Sequence, residues 1–215
     1  MHLSKITVDI LKNLATINQG LIFRPGNSLK TMNVMKNTFV TADIPDTIPV
    51  EFAIYDLNEF LGTFSLAEDC DITFEETRMV MTSASEYTYY NFSSPSVVVS
   101  PGDRKMTMPS EDKKFTLTKE VFDKIIRVSG VMKLKDIVID CNGITVLNRN
   151  SVGNQHHITI PIDCGKSTKP AMFKVESLKL IPVDYSVVIS DVGLSRFTSN
   201  SEEYKIEYFI ALETE

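Results

Sequence analysis

The sequence repeats its own plan. Leu3, Ile6, Ile10, Leu14 and Ile17 fall at helical spacing, Leu11 widens the stripe, and Gly20 follows as a stop. Short strand-like runs come next, at Leu21–Arg24, Ser28–Val34, Thr38–Ala42 and Val50–Tyr55. Asp56-Leu57-Asn58-Glu59 has the spacing of a capping box and opens a short helix with Leu57, Phe60, Leu61 and Phe64 on its apolar side. Strands are expected again at Asp71–Phe74, Arg78–Thr82 and Tyr87–Phe92. Then Leu117-Thr118-Lys119 echoes Leu3-Ser4-Lys5, and Val121, Phe122, Ile125, Ile126 and Val128 form a second amphipathic stripe ending near Gly130. Strands at Ile137–Asp140, Ile144–Asn148 and His157–Ile162 follow, then a short helix over Met172–Leu180, then strands at Tyr185–Ile189, Leu194–Phe197 and Tyr204–Leu212. Each half reads helix, strands, short helix, strands over roughly 105 residues, the mark of a duplicated domain and not of a solenoid. The fold class is therefore α+β with two similar domains, at 1–94 and 113–215, joined by a Ser- and Pro-rich linker at 95–112.

Composition narrows the classes of function. Hydrophobic residues are 43% and charged residues 23%, as in an ordinary globular chain. The formal charge of −6 spreads no basic field over the molecule, but it hides local clusters. Residues 113–135 carry Lys113, Lys114, Lys119, Lys124, Arg127, Lys133 and Lys135 against only Glu120 and Asp123. A second basic stretch runs from Lys166 through Lys169 and Lys174 to Lys179, opposed by Glu176. Three cysteines without CxxC spacing fit a reducing compartment, and no apolar run approaches the roughly 18 residues of a membrane span.

Catalytic patterns fail on inspection. Gly165-Lys166-Ser167-Thr168 resembles the end of a phosphate-binding loop, but the glycine required five residues earlier is Ile160, and Pro170 interrupts the helix that should follow. A β-turn is the better reading. His156 and His157, adjacent in a strand, point to opposite faces and cannot chelate one metal ion. No nucleophile has a histidine base at a recognisable spacing, so no catalytic residue, cofactor or metal is expected.

Leu3-Ser4-Lys5, Leu11-Lys12-Asn13, Ala15-Thr16-Ile17-Asn18 and, above all, Ala53-Ile54-Tyr55-Asp56-Leu57-Asn58 with Phe60-Leu61-Gly62 resemble the sliding clamps of T4-type bacteriophages. These are DNA polymerase processivity factors. Weaker echoes are Pro95-Ser96 with Val98 and Pro101, Arg127-Val128-Ser129 and Ala211-Leu212-Glu213. The resemblance implies a homotrimeric ring of two-domain chains, helices lining the hole and antiparallel sheets outside. It implies a non-enzymatic role in the cytoplasm of an infected bacterium. The implied partners are double-stranded DNA without sequence preference, the DNA polymerase, a separate ATP-driven clamp loader and further copies of this chain joined through edge strands; late-transcription factors stay open.

On that reading the helix bases Lys5, Lys12, Lys119, Lys124, Arg127, Lys174 and Lys179 face DNA phosphates, which position a protein without reading sequence. Asp9 can instead pair with Lys5 at i, i+4. The resemblance also implies an apolar pocket for partner peptides beside the linker. Met106 and Met108 are its adaptable linker positions, and Phe39, Tyr208 and Phe209 are candidate walls, although all five also fit an ordinary core or strand. Two other readings of the residues remain: a β-rich virion assembly subunit with no DNA-lining role, and an enzyme with an unrecognised site near Gly165–Thr168.

Overall fold

The computed structural model describes residues 1–67, 70–84, 86–149, 156–164 and 169–214. They fall into two compact units. The first holds Met1–Arg104 with Glu203–Ile206, and the second holds Lys105–Glu202 with Glu207–Glu215.

The first unit begins with helix α1 (Lys5–Ile17), which buries Thr7, Ile10, Leu11, Leu14 and Ile17 along one stripe, as the apolar spacing predicts. Strands β1 (Leu21–Phe23), β2 (Gly26–Met32), β3 (Thr38–Ile48) and β4 (Phe52–Ile54) follow, with β1 paired to β4 and β2 to β3, both antiparallel. Strand β3 runs on through Pro45, beyond the expected end at Ala42. Pro45 lies opposite the register shift between Gly26 and Ser28, an irregularity of the kind that admits proline. Helix α2 (Leu57–Leu66) is capped by Asp56, whose carboxylate accepts from the N–H groups of Asn58 and Glu59. Those bonds, that of Glu59 foremost, hold the Asp56 carboxyl below the usual range. Strands β5 (Asp71–Phe74), β6 (Arg78–Thr82) and β7 (Tyr87–Asn91) form a meander in that order. Phe52 organises the core, its ring 4.4 Å from Phe23, 4.9 Å from Phe92 and 5.3 Å from Phe74.

The first part of the expected linker packs on this unit. Val98 is buried, the Asn18 amide donates to the Val99 carbonyl, and Arg24 donates to that of Gly102. Gly20 makes the approach possible: a Cβ there would lie 3.1 Å from Val98 Cγ1 and 2.9 Å from the Ile54 carbonyl.

The second unit opens with strand β8 (Lys113–Leu117) and helix α3 (Lys119–Met132), whose buried face is Phe122, Ile125 and Ser129. Strands β9 (Asp136–Asp140), β10 (Gly143–Leu147), β11 (Ile158–Ile160) and β12 (Ala171–Lys174) form a sheet ordered β11-β10-β9-β12. Strands β13 (Tyr185–Ser190), β14 (Leu194–Ser199) and β15 (Lys205–Ala211) hydrogen-bond in sequence, and β13 also pairs with β8.

The helix expected over Met172–Leu180 is corrected. Ala171–Lys174 is a strand paired with β9, and only Val175–Ser177 turns, as a single 3-10 turn. Ala171 and Phe173 alternate into the core, so the governing period is two and not 3.6.

Candidate nucleic-acid interface

Helix α1 begins at Ser4, whose hydroxyl accepts from the Thr7 N–H at 3.2 Å. With its apolar stripe buried, the opposite face presents Lys5, Asp9, Lys12 and Thr16. Asp9 pairs with Lys12, at 3.8 Å, and not with Lys5; its other oxygen accepts from the Tyr204 hydroxyl at 3.3 Å. The Lys5 ammonium has no ion-pair partner among the described residues.

Helix α3 repeats the arrangement. Thr118 caps it by accepting from the Val121 N–H, and the exposed face carries Glu120, Lys124 and Arg127, with Lys119 at its edge. Lys119 is bound to Asp123 at 2.7 Å, whereas Lys124 and Arg127 have no ion-pair partner among the described residues. Helix α2 exposes no base. The basic character is therefore slight, with two lysines against one aspartate on α1 and three bases against two acids on α3.

Two of the seven expected bases do not lie on a helix. Lys174 sits on β12 and is committed to Asp136, a buried carboxylate that also faces Arg149 at 3.8 Å and accepts from the Arg149 N–H. Burial pushes the Asp136 carboxyl up, but the Lys174 hydrogen bond, the Arg149 N–H and the two positive charges outweigh it and hold the group below the usual carboxylate range. Lys174 and Lys135 border a cleft of about 470 Å³ with Ser129, Leu134, Val175 and Glu176. Lys179 is exposed just beyond the 3-10 turn.

The candidate partner residues come from three segments. Met106 is 38% exposed and Met108 half-buried, both in extended chain before β8. Phe39, on β3, is buried in the first unit. Tyr208 and Phe209, on β15, are buried in the second unit; the Tyr208 hydroxyl accepts from the Ile181 N–H, and its ring meets Tyr185 edge-on at 6.0 Å. Burial pushes the Tyr208 hydroxyl pKa far up, as for any phenol held in a core. Gly165–Thr168 lies outside the described residues, and among the described residues no cluster of His, Cys, Asp and Glu could hold a metal ion. No described helix is long and apolar enough to cross a membrane.

Two residues without a signal in local spacing hold the starts of the same helices. Asp46 of β3 accepts from the Ser4 N–H at 2.8 Å and its hydroxyl at 2.9 Å; Asp184, just before β13, accepts from the Lys119 N–H at 2.7 Å. The only signal for them is a faint echo, Ile44-Pro45-Asp46 against Ile181-Pro182-Val183-Asp184.

Two α+β units in one chain, each with a long capped helix that buries one face and shows a mildly basic one, define a DNA-clamp fold. Solved structures agree in fold. Proliferating cellular nuclear antigen from Entamoeba histolytica superposes with a TM-score of 0.71 at 13% identity, covering 97% of this chain and 95% of that one. A. fulgidus PCNA bound to the C-terminal region of FEN-1 gives 0.68 at 14% identity, with the same coverage. The profile of the DNA polymerase processivity factor family matches residues 3–100. The sliding clamp of Vibrio phage KVP40 is 32% identical over 226 residues, covering 99% of each chain, and that of Enterobacteria phage T4 is 28% identical over 225 residues, covering 100% of this chain and 98% of that one. The chain belongs to the sliding-clamp family of T4-type phages, the DNA polymerase processivity factors. Membership replaces the virion-subunit reading.

Proposed function

We propose that three copies of this chain close into a ring around duplex DNA and tether the replicative polymerase by topology. A separate ATP-driven loader opens the ring, and the clamp itself carries out no chemistry. The observation that carries this reading is the pair of capped helices whose exposed faces hold uncommitted bases: Lys5 on α1, and Lys124 and Arg127 on α3. Lys12 and Lys119 lie beside them, each softened by an intrahelical aspartate. Lys174 holds Asp136 and is assigned a structural role; Lys179 is a peripheral contact.

Weak basicity suits sliding. Each neutralised phosphate contributes about 0.9 to the slope of log affinity against log salt, so a few contacts hold the duplex without pinning it. The acidity of the whole chain discourages binding elsewhere on the surface. Met106 and Met108 supply adaptable apolar anchors for a partner's peptide. The site of action is the cytoplasm of the infected host.

Charge reversal tests the lining. Glutamate at Lys119, Lys124 and Arg127 together is expected to cut processive synthesis at least tenfold while leaving the sedimenting mass of the oligomer unchanged. Undiminished synthesis would remove these helices from the DNA-facing surface.

A further inference from the structure

A helix usually closes its N-terminus locally. In a capping box the N-cap hydroxyl takes the N–H of the third helical residue, and a glutamate at that third position takes the N–H of the N-cap. Helix α2 stays local, with Asp56 accepting from Asn58 at 2.9 Å and Glu59 at 3.1 Å. Helices α1 and α3 differ. Their third positions are Thr7 and Val121, neither a carboxylate, and the acid arrives from far along the chain. Asp46 reaches Ser4 across 42 positions, and Asp184 reaches Lys119 across 65. The two contacts arise in separate units, one on the N-cap N–H of α1 and one on the first helical N–H of α3.

We infer that Asp46 and Asp184 are positioning residues that fix the rotation and axial placement of the two basic helices relative to their sheets, an inference that rests on the DNA-facing reading of α1 and α3. The hydroxyls of Ser4 and Thr118 already supply the usual N-cap acceptor, each taking the N–H of the third helical residue. What the carboxylates add is a link from helix to strand. Each successive residue turns a helix by about 100° and advances it about 1.5 Å, so slippage by one position would carry the basic stripe a quarter-turn away. The links sit where that matters: Lys5 directly follows Ser4, and Lys124 and Arg127 lie five and eight residues beyond Lys119. The negative charge also complements the helix N-terminus.

The test compares two double variants of the full-length protein, Asp46→Asn with Asp184→Asn and Asp46→Ala with Asp184→Ala. Both remove the same two charges, but only asparagine keeps an acceptor for the backbone N–H. Association with a linear duplex is measured against KCl at protein concentrations that saturate ring assembly, and amide exchange is followed at Ser4 and Lys119. In the alanine pair, exchange at those amides should accelerate at least tenfold, and the salt slope, which counts neutralised phosphates, should fall by about a third. The asparagine pair should keep both near wild type. Equal salt slopes for the two pairs, both folded by circular dichroism, would overturn the inference. If the alanine pair fails to fold, the single variants Asp46→Ala and Asp184→Ala are compared with their asparagine counterparts on the same criterion. Glutamate at Lys5, Lys12, Lys124 and Arg127 is the companion arm: an unchanged slope there would overturn the DNA-facing reading and this inference with it. A reduced slope there with equal slopes for the aspartate variants would overturn the positioning role alone.

Discussion

Asp136 illustrates how a single side chain redirects its neighbours. Its carboxylate is buried, so it must be paired, and Lys174 and Arg149 converge on it. A lysine that the sequence offers for nucleic acid is thereby spent inside its own unit. Lys174→Met should destabilise the protein by about 3 kcal/mol at neutral pH, the lower end for breaking a buried pair, because Arg149 remains. The Asp136 carboxyl is held below its unfolded value, so its contribution is complete above about pH 4 and is lost as pH falls through the lowered value. The deficit of the variant in denaturant melts should accordingly shrink below about pH 4; a deficit that stays constant with pH would detach Lys174 from Asp136.

At the level of elements, legibility followed locality. Helix α1 was readable because its stripe, its cap Ser4 and its stop lie within one short stretch. Strand β12 was misread because Met172, Val175 and Leu178 also satisfy helical spacing; its partner β9 decides the matter, and pairing with a distant strand leaves no local trace. The extension of β3 past Pro45 depends on a register shift in β2, and the anchoring of α1 and α3 on aspartates from other elements. Of the candidate site, the five helix bases were legible from period and charge. The sorting into uncommitted and paired groups was not, because ion pairs such as Lys174–Asp136 join separate segments. The extended segment carrying Met106 and Met108 yields a further prediction. Aspartate at both positions should weaken a polymerase tail peptide at least tenfold in calorimetric titration, since each substitution places a charge where an apolar anchor must desolvate. Unaltered affinity would move the peptide site elsewhere.

For the whole molecule, duplication leaves strand edges in each unit. Strand β7 ends the order β5-β6-β7, and β11 ends the order β11-β10-β9-β12, neither with a second partner among the described residues. Edges of this kind invite another chain, and a head-to-tail contact between two different edges closes into a ring when the rotation allows. Tyr87 and Tyr89 are exposed on β7, with Arg78 stacked 4.5 Å above the Tyr89 ring. Replacing both tyrosines by lysine should raise the dissociation constant of the oligomer at least tenfold in sedimentation equilibrium, with little change in the thermal midpoint, because neither side chain is buried. An unshifted association would place the subunit contact away from β7.

The join between the methionine-bearing segment and strand β8 has a mechanical meaning. Lys113 is buried and bound to Asp191 at 2.9 Å, and from Lys113 to Leu117 strand β8 runs antiparallel to β13 in unbroken register. On the proposed peptide site, a partner's pull on Met106 and Met108 would run along β8 and load its ladder bonds together in shear instead of peeling them one by one. The ion pair at Lys113 stands at the end of β8 nearest that pull.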